Sequence, residues 1–149
     1  MKKVYFAGGW FSPAQEEEHT RVLNTLRDYC KDILVFNPRE HGELSNEKSN
    51  HSSEATKIFH NNVGSIRDCD FIVCITDYKD MGTIWEAGCA YALNKQIVYY
   101  CETLGDRPFN VMLAKSGLVT RNEVELIETV TRLAKDVTVT NQEYKGDFE

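Results

Sequence analysis

Hydrophobic positions along the chain form two kinds of pattern, and these patterns alternate. Short continuous apolar runs predict buried strands at residues 3–7, 33–36, 70–76, 96–101 and 117–119. Between them, apolar residues spaced three and four apart predict helices at 14–30, 53–68, 83–94 and 109–115, with a final helix capped by Asn122. Residues 39–51 are polar and rich in Glu, Ser and Asn, which is typical of a loop.

Strands that alternate with helices indicate a parallel sheet covered on both faces. We expect a single α/β domain over residues 1–149, with a flavodoxin-like, doubly wound, five-stranded parallel sheet in the order 2-1-3-4-5 and helices on both faces. The second helix is predicted to turn Ile58, Phe59, Val63 and Ile66 inward. The ligand crevice of such a sheet lies where strands 1 and 3 diverge, so the loops after Ala7 and Thr76 should meet the start of the third helix.

Composition and charge limit the partners, the cellular location and the cofactors that we expect. The net charge of −6 and the pI near 5.3 argue against a nucleic-acid backbone or an anionic membrane as partner. No apolar run is as long as a membrane span and no signal-peptide pattern opens the chain, so a cytoplasmic protein is expected. The five cysteines lie mostly in apolar runs, which predicts reduced core thiols. The four histidines lack metal-ligand spacing, and neither a metal nor a cofactor is expected.

Glu86 stands near the predicted start of the third helix. The spacing Thr83-x-x-Glu86 is that of a capping box, in which the Glu side chain bonds back to the cap amide. The functional alternative is a carboxylate at the positive end of a helix dipole, at the sheet edge where open α/β folds bind ligands. Asn122-x-x-Glu125 repeats the spacing, so the spacing alone leaves both interpretations open.

Three stretches, taken in order, resemble the nucleoside 2-deoxyribosyltransferase family. They cover about residues 3–120 and read Val4-Tyr-Phe-Ala-Gly-Gly-Trp-Phe11, Asp80-Met-Gly-Thr-Ile-Trp-Glu86-Ala-Gly-Cys-Ala-Tyr-Ala-Leu93 and Pro108-Phe-Asn-Val-Met112. The resemblance implies an enzyme that exchanges the base of a 2'-deoxynucleoside. A carboxylate attacks the anomeric carbon, the base leaves, and a second free nucleobase attacks the sugar ester, as in a retaining glycosidase.

The resemblance also implies catalytic roles. Glu86 matches the nucleophile, Tyr5 matches a residue that orients the nucleophile by a hydrogen bond, and Asp80 matches a carboxylate that faces the base. Each of the last two has a structural alternative, since a strand Tyr is usually core and an Asp before a helix is usually a cap.

Four further positions match substrate-binding segments. Trp10 and Phe11 follow two glycines and suit stacking on a base, or else cap the sheet edge. Asn110 matches a residue that enters a neighbouring subunit's pocket and binds sugar hydroxyls, which implies a homo-oligomer; its alternative role is to cap the next helix. Met112 belongs to the same stretch and is included in the substrate-binding set.

Asn62 departs from the family pattern, which has an Asp in the second helix. An Asn side chain donates or accepts a hydrogen bond but supplies no proton at pH 7, so the departure bears on rate and on base range. We therefore count Asn62 as a substrate-binding candidate rather than as a catalytic acid.

Two alternative functions stay open. The related nucleotide N-hydrolases cleave 2'-deoxynucleoside 5'-phosphates with water and need a phosphate cradle; here the first loop offers Ser12 but no Arg, and Asn110 stands where a Ser is expected. The other alternative is a base or nucleoside sensor with little turnover. A receiver domain shares the expected fold, but it requires an acidic pair where this chain has Ala7-Gly8-Gly9.

Overall fold

Five short strands and five helices alternate along the part of the chain that the structure describes, as the hydrophobic pattern predicts. A computed structural model describes residues 1–137 and 144–149. Its helices and strands are β1 (Lys2–Ala7), α1 (Pro13–Tyr29), β2 (Ile33–Phe36), α2 (His51–Asp68), β3 (Phe71–Ile75), α3 (Met81–Ala92), β4 (Gln96–Tyr100), α4 (Val111–Ser116), β5 (Leu118–Thr120) and α5 (Glu123–Ala134). Two 3-10 turns, Pro38–Glu40 and Lys48–Asn50, lie between β2 and α2.

The strands form one parallel sheet in the order β2-β1-β3-β4-β5, which confirms the predicted topology. β1 therefore lies between β2 and β3, with Tyr5 opposite Phe36 on one side and Ile72 on the other. The strand order reverses beside β1, so the carboxyl ends of β1 and β3 open the crevice in which such folds bind ligands.

Alternate side chains of each strand enter two separate cores, because successive strand residues point to opposite faces of a sheet. Phe6 and Val73 pack under α1 and α5 with Leu26 and Leu126. Tyr5 and its neighbours on the other face pack against α2, α3 and α4, through residues that include Ile66, Ala87, Ala90 and Ala114. Tyr5 is thus a core residue of the face that carries α3.

Two predicted helix features are wrong in detail. α3 begins at Met81 rather than at 83, because the Asp80 side chain caps it by accepting from the Thr83 amide at 2.9 Å. Phe59 is not turned inward: its side chain is 50% exposed, and its ring packs beside Trp85 of α3 at 5.5 Å. Ile66 is the buried member of the predicted face, and Ile58 is only partly buried.

All five cysteines are free thiols, and four of them are buried, as expected for core residues. Among the described residues, no helix is both long enough and apolar enough to cross a bilayer.

The sequence predicts no helix or strand for residues 144–149, and in the structure these residues pack against the segment that precedes α4. Phe148 forms a parallel bridge with Phe109, and the Val111 amide donates to the carbonyl of Glu149 at 3.0 Å. Tyr144 packs on Phe109 as well, at 6.0 Å between ring centroids. These contacts hold the segment that precedes α4, including Asn110.

Candidate active site

A hydrogen bond joins Glu86 of α3 to Tyr5 of β1. The Tyr5 hydroxyl donates to Oε2 of Glu86 in a short contact. Tyr5 is fully buried, and its ring stacks on Phe36 at 5.6 Å, so the position of its hydroxyl is fixed by the sheet. The capping-box interpretation of Glu86 is wrong, because Asp80 is the cap and the Thr83 amide bonds to it. The Glu86 carboxylate is therefore held by β1, an interior strand of the sheet.

The surroundings of Glu86 shift its proton affinity. Burial raises the pKa of Glu86 to about 7; the Tyr5 hydrogen bond acts against this rise, and the negative charge of Asp80 adds to it. Burial, followed by the charge of Glu86, raises the pKa of Tyr5 far above its usual value. Tyr5 consequently stays a hydrogen-bond donor at every physiological pH, and Glu86 changes its charge near neutrality.

The Asp80 side chain contacts both the start of α3 and the loop after β1. Its Oδ2 accepts both the amide and the hydroxyl of Thr83, each at 2.9 Å, which confirms the capping alternative. A Cβ on Gly9 would lie 3.2 Å from Oδ1 of Asp80 and 3.0 Å from the side-chain nitrogen of Gln15. A glycine therefore lets the first loop approach Asp80 this closely without displacing the Asp80 or Gln15 side chain by a few tenths of an ångström. The contact brings together the two loops that the topology predicted would meet.

Trp10 and Phe11 form an aromatic pair on the first loop. Their rings stack at 5.1 Å with 29° between the planes, and Phe11 is 74% exposed. Trp10 is held from its other sides by the ring of His19 at 5.7 Å and by the guanidinium of Arg39 at 5.7 Å. Trp10 is thus anchored by its neighbours, while Phe11 presents an aromatic face to solvent.

Helical spacing puts Asn62 on the side of α2 that carries Phe59 and Ile66. It is half-buried and stands one turn before Ile66, which is fully buried beside Tyr5 in the same core cluster. Three residues before it, Phe59 packs against Trp85, the residue next to Glu86. Asn62 therefore lies between Phe59, which packs on Trp85, and Ile66, which shares a core cluster with Tyr5.

Asn110 and Met112 lie at a separate cavity. Asn110 caps α4 by accepting from the amides of Met112 and Leu113 at 3.0 and 3.3 Å, and Met112 is 73% exposed. Both residues line a cavity of about 870 Å³ between the loops after β3 and β4, which Ile84 of α3 also lines. Neither Glu86 nor Tyr5 is among the described residues that line this cavity.

The family match agrees with this geometry. A family model described as nucleoside 2-deoxyribosyltransferase matches residues 4–138. The chain belongs to the nucleoside 2-deoxyribosyltransferase family. A search of curated protein sequences found no match.

Solved structures of this family and fold superpose on most of the chain. A 2-deoxyribosyltransferase from Bacillus psychrosaccharolyticus is 26% identical, with a TM-score of 0.71 over 86% of this chain and 95% of its own. A 2-deoxyribosyltransferase from Leishmania mexicana (23% identity, TM-score 0.53, 78% and 73% covered) shares the fold. So does a CMP N-glycosidase from Clostridium botulinum (18% identity, TM-score 0.55, 87% and 98% covered).

The deoxyribosyltransferase motifs did not reveal every polar group near the first loop. The structure adds Glu18, His19 and Arg39, of which Glu18 and His19 are each only 2% exposed. Glu18 and His19 lie four residues before the inward-facing Val22 and Leu23, so helical spacing places them on the buried face of α1. That spacing is the signal that identifies them. Arg39 lies in the turn after β2 and has no such signal.

Proposed function

We propose that the protein transfers the 2-deoxyribosyl group between nucleobases through a covalent ester of the sugar with Glu86, as a step of nucleoside salvage. The observation that carries this proposal is the hydrogen bond from the buried Tyr5 hydroxyl to Glu86. It holds one carboxylate oxygen and leaves Oε1 to act as the nucleophile. The family match supports the reaction class.

The reaction proceeds in two displacements at the anomeric carbon. Glu86 Oε1 forms a bond to C1' while the bond between C1' and the base nitrogen breaks, and the bonding electrons leave with the base. A second base then forms a new C1'–N bond, the C1'–O bond breaks, and the Glu86 carboxylate is regenerated. The transition states carry positive charge on the sugar, which the nearby carboxylate stabilises.

The leaving base needs a proton or strong hydrogen bonds. Asp80 is the carboxylate that we place against the base, with Oδ2 engaged by Thr83 and Oδ1 on the side of Gly9. Asn62 supplies a hydrogen bond to the base but no proton. Trp10 and Phe11 close over the nucleoside by stacking.

We further propose that the active unit is a homo-oligomer in which Asn110 and Met112 enter a neighbouring chain's pocket and contact the sugar. Large apolar side chains are exposed on α3 and α4: Met81 is 87% exposed, Trp85 52% and Met112 73%. An apolar surface of this kind is typical of a subunit contact.

Subunit exchange tests the shared pocket. Glu86→Ala protein is mixed with Asn110→Ala protein after mild dissociation, so that a mixed pair contains one pocket with both residues intact, from opposite chains. Base exchange should partly recover above that of either parent. If labelled subunits exchange but activity does not recover, the pocket is made within one chain.

The nucleotide N-hydrolase alternative is supported by one observation, the guanidinium of Arg39 over Trp10 at 5.7 Å. A phosphate at the 5' position would find a cation there. However, Arg39 is bonded to Glu16 at 2.5 Å and faces Glu43 at 3.8 Å, so its charge is already compensated. The compensation favours an uncharged 5'-hydroxyl.

One experiment separates these functions. The protein is incubated with a deoxynucleoside and a different free base, and the products are followed by chromatography, with Glu86→Gln as the inactive control. A new deoxynucleoside demonstrates transfer, whereas free base with free deoxyribose demonstrates hydrolysis. Repeating the incubation with the corresponding 5'-phosphate tests the nucleotide alternative directly.

A further inference from the structure

Two acidic side chains meet in the interior beside the first loop. Glu18 of α1 is only 2% exposed, and its carboxyl faces that of Asp77, in the loop after β3. Both oxygens of Glu18 and Oδ2 of Asp77 are shielded from solvent, and no N–H or O–H of the described residues donates to them. Two carboxylates can form a hydrogen bond only when one of them holds a proton.

The guanidinium that faces this pair, that of Arg21, is engaged elsewhere. Arg21, one turn along α1, faces Glu18, but its guanidinium is bonded to Glu17, Glu102 and Glu123 at 2.9, 2.8 and 3.1 Å. Glu102, from the loop after β4, also faces Glu18 and adds negative charge. A proton is therefore the species that neutralises the pair.

The local pKa values agree with this assignment. Burial, followed by the hydrogen bond to Asp77, raises the pKa of Glu18 to about 9. Burial alone would raise the pKa of Asp77, but hydrogen bonds from Glu18 and from the Thr103 amide, at 2.8 Å, outweigh it and hold the pKa below its usual value. At neutral pH, Glu18 is thus the proton donor and Asp77 the acceptor.

The pair lies directly behind the candidate active site. Asp77 begins the four-residue segment that ends at Asp80, and that segment turns through Lys79, whose φ of 52° is in the left-handed region. Glu18 and Asp80 line the same small cavity with Gly9, and its volume of about 10 Å³ holds about one water at most. A hydrated cation is larger than this cavity, and only two residues separate Asp77 from Asp80 along the chain.

We propose that Glu18 and Asp77 are a proton-sharing pair of positioning residues, which fixes the loop after β3 to α1 and so places Asp80 against Gly9. Loss of the shared proton leaves two negative charges buried side by side, and their repulsion separates the loop from α1. The activity readout of this proposal rests on the proposed transfer reaction; its stability and spectroscopic readouts do not.

The sign of the pH effect follows from the pKa of Glu18. Between the ordinary pKa of 4.5 and the folded value of about 9, the folded protein binds a proton that the unfolded chain has lost. The contribution of this group therefore makes folding less favourable as pH rises through that window, by up to about tenfold in the unfolding equilibrium constant per pH unit. Glu18→Gln carries a permanent donor to Asp77 and should remove this slope.

Three proteins test the proposal: wild type, Glu18→Gln, and the matched control Glu17→Gln on the exposed side of the same turn. Urea unfolding and base exchange are measured from neutral pH to about pH 10. Wild type and Glu17→Gln should lose stability and exchange activity together toward the alkaline end, whereas Glu18→Gln should retain both. An alkaline decline in Glu18→Gln equal to that of wild type would overturn the proposal.

A second measurement uses the wild-type protein, so its outcome does not depend on whether a variant folds. Side-chain carboxyl carbons of glutamate labelled with carbon-13 are followed by NMR during a pH titration. One glutamate should stay protonated at pH 8 and titrate near the value of about 9 given for Glu18. If every glutamate is ionised at pH 8, the pair does not share a proton, whatever the protein's catalytic activity.

Discussion

Replacing Tyr5 with Phe removes one buried hydroxyl and little else, which makes it a direct probe of the contact with Glu86. A hydrogen bond to a charged group contributes about 1.5–3 kcal/mol, against about 0.5–1.5 kcal/mol for one between neutral groups. The hydroxyl therefore favours ionised over protonated Glu86 by about 1.4 kcal/mol, which corresponds to about one pKa unit. Tyr5→Phe should raise the pKa of Glu86 from its value of about 7 by about that amount.

The sign for stability follows from the same values. The folded pKa of Glu86, about 7, is above its unfolded reference of 4.5, so this group makes the folded protein less stable as pH rises through that window. Tyr5→Phe raises the folded pKa of Glu86 and so extends this pH window upward. We expect the variant to cost about 1 kcal/mol at pH 5.5, where Glu86 is protonated, and about 2–3 kcal/mol at pH 8.5, where it is ionised.

Tyr99→Phe is the matched control. Tyr99 is 1% exposed in the same core cluster, and its hydroxyl pairs with Ser116 at 2.6 Å. Burial raises the pKa of Tyr99 to about 12, so this contact keeps its protons across the range and the variant's cost should not vary with pH. Urea unfolding of both variants at the two pH values gives the comparison, and the acidic limb of kcat/KM for base exchange gives the kinetic counterpart. Equal costs for Tyr5→Phe at both pH values would refute the reasoning.

Three further outcomes are expected. Asn62→Asp should raise kcat for adenine release and move the alkaline limb of the pH profile upward, because two carboxyls that share a proton keep it available at higher pH; a tenfold gain corresponds to about 1.4 kcal/mol, and pH–rate profiles measure both changes. Asp80→Ala should cost about 1 kcal/mol in thermal unfolding, since Thr83 loses its cap, whereas Asp80→Asn should keep most of the stability and lose exchange activity. Adenosine should show a lower kcat/KM than deoxyadenosine, because a 2'-hydroxyl withdraws electrons from the oxocarbenium-like centre; equal values would count against the deoxynucleoside assignment.

The sheet was predictable from sequence because its strands are continuous apolar runs separated by amphipathic helices. Those patterns, together with the handedness of crossovers, leave few topologies, and the predicted order is the observed one. The start of α3 was harder to predict, because Asp80 and Thr83 are both good caps and only the chain direction after β3 decides between them. Phe59 was misplaced for a related reason: helical period does not reveal that α2 packs beside Trp85.

The candidate site was predictable only in part. The link between Tyr5 and Glu86 joins residues 81 positions apart, and no local pattern reports such a contact. The resemblance to the family supplied it. The resemblance did not identify Glu18, whose burial depends on how α1 lies over the loop after β3, although the helical spacing to Val22 places it inward. The attachment of Phe148 to Phe109 likewise depends on tertiary packing alone.

The central claim is that Glu86 carries the deoxyribosyl group between bases. The most direct test incubates the protein with a deoxynucleoside and no acceptor base, quenches it in acid, and maps its peptides by mass spectrometry. The account predicts a deoxyribosyl adduct on the peptide that contains Glu86, absent from Glu86→Gln and lost when an acceptor base is added before quenching. Base exchange that proceeds with no adduct, or with the adduct on a peptide that lacks Glu86, would contradict it.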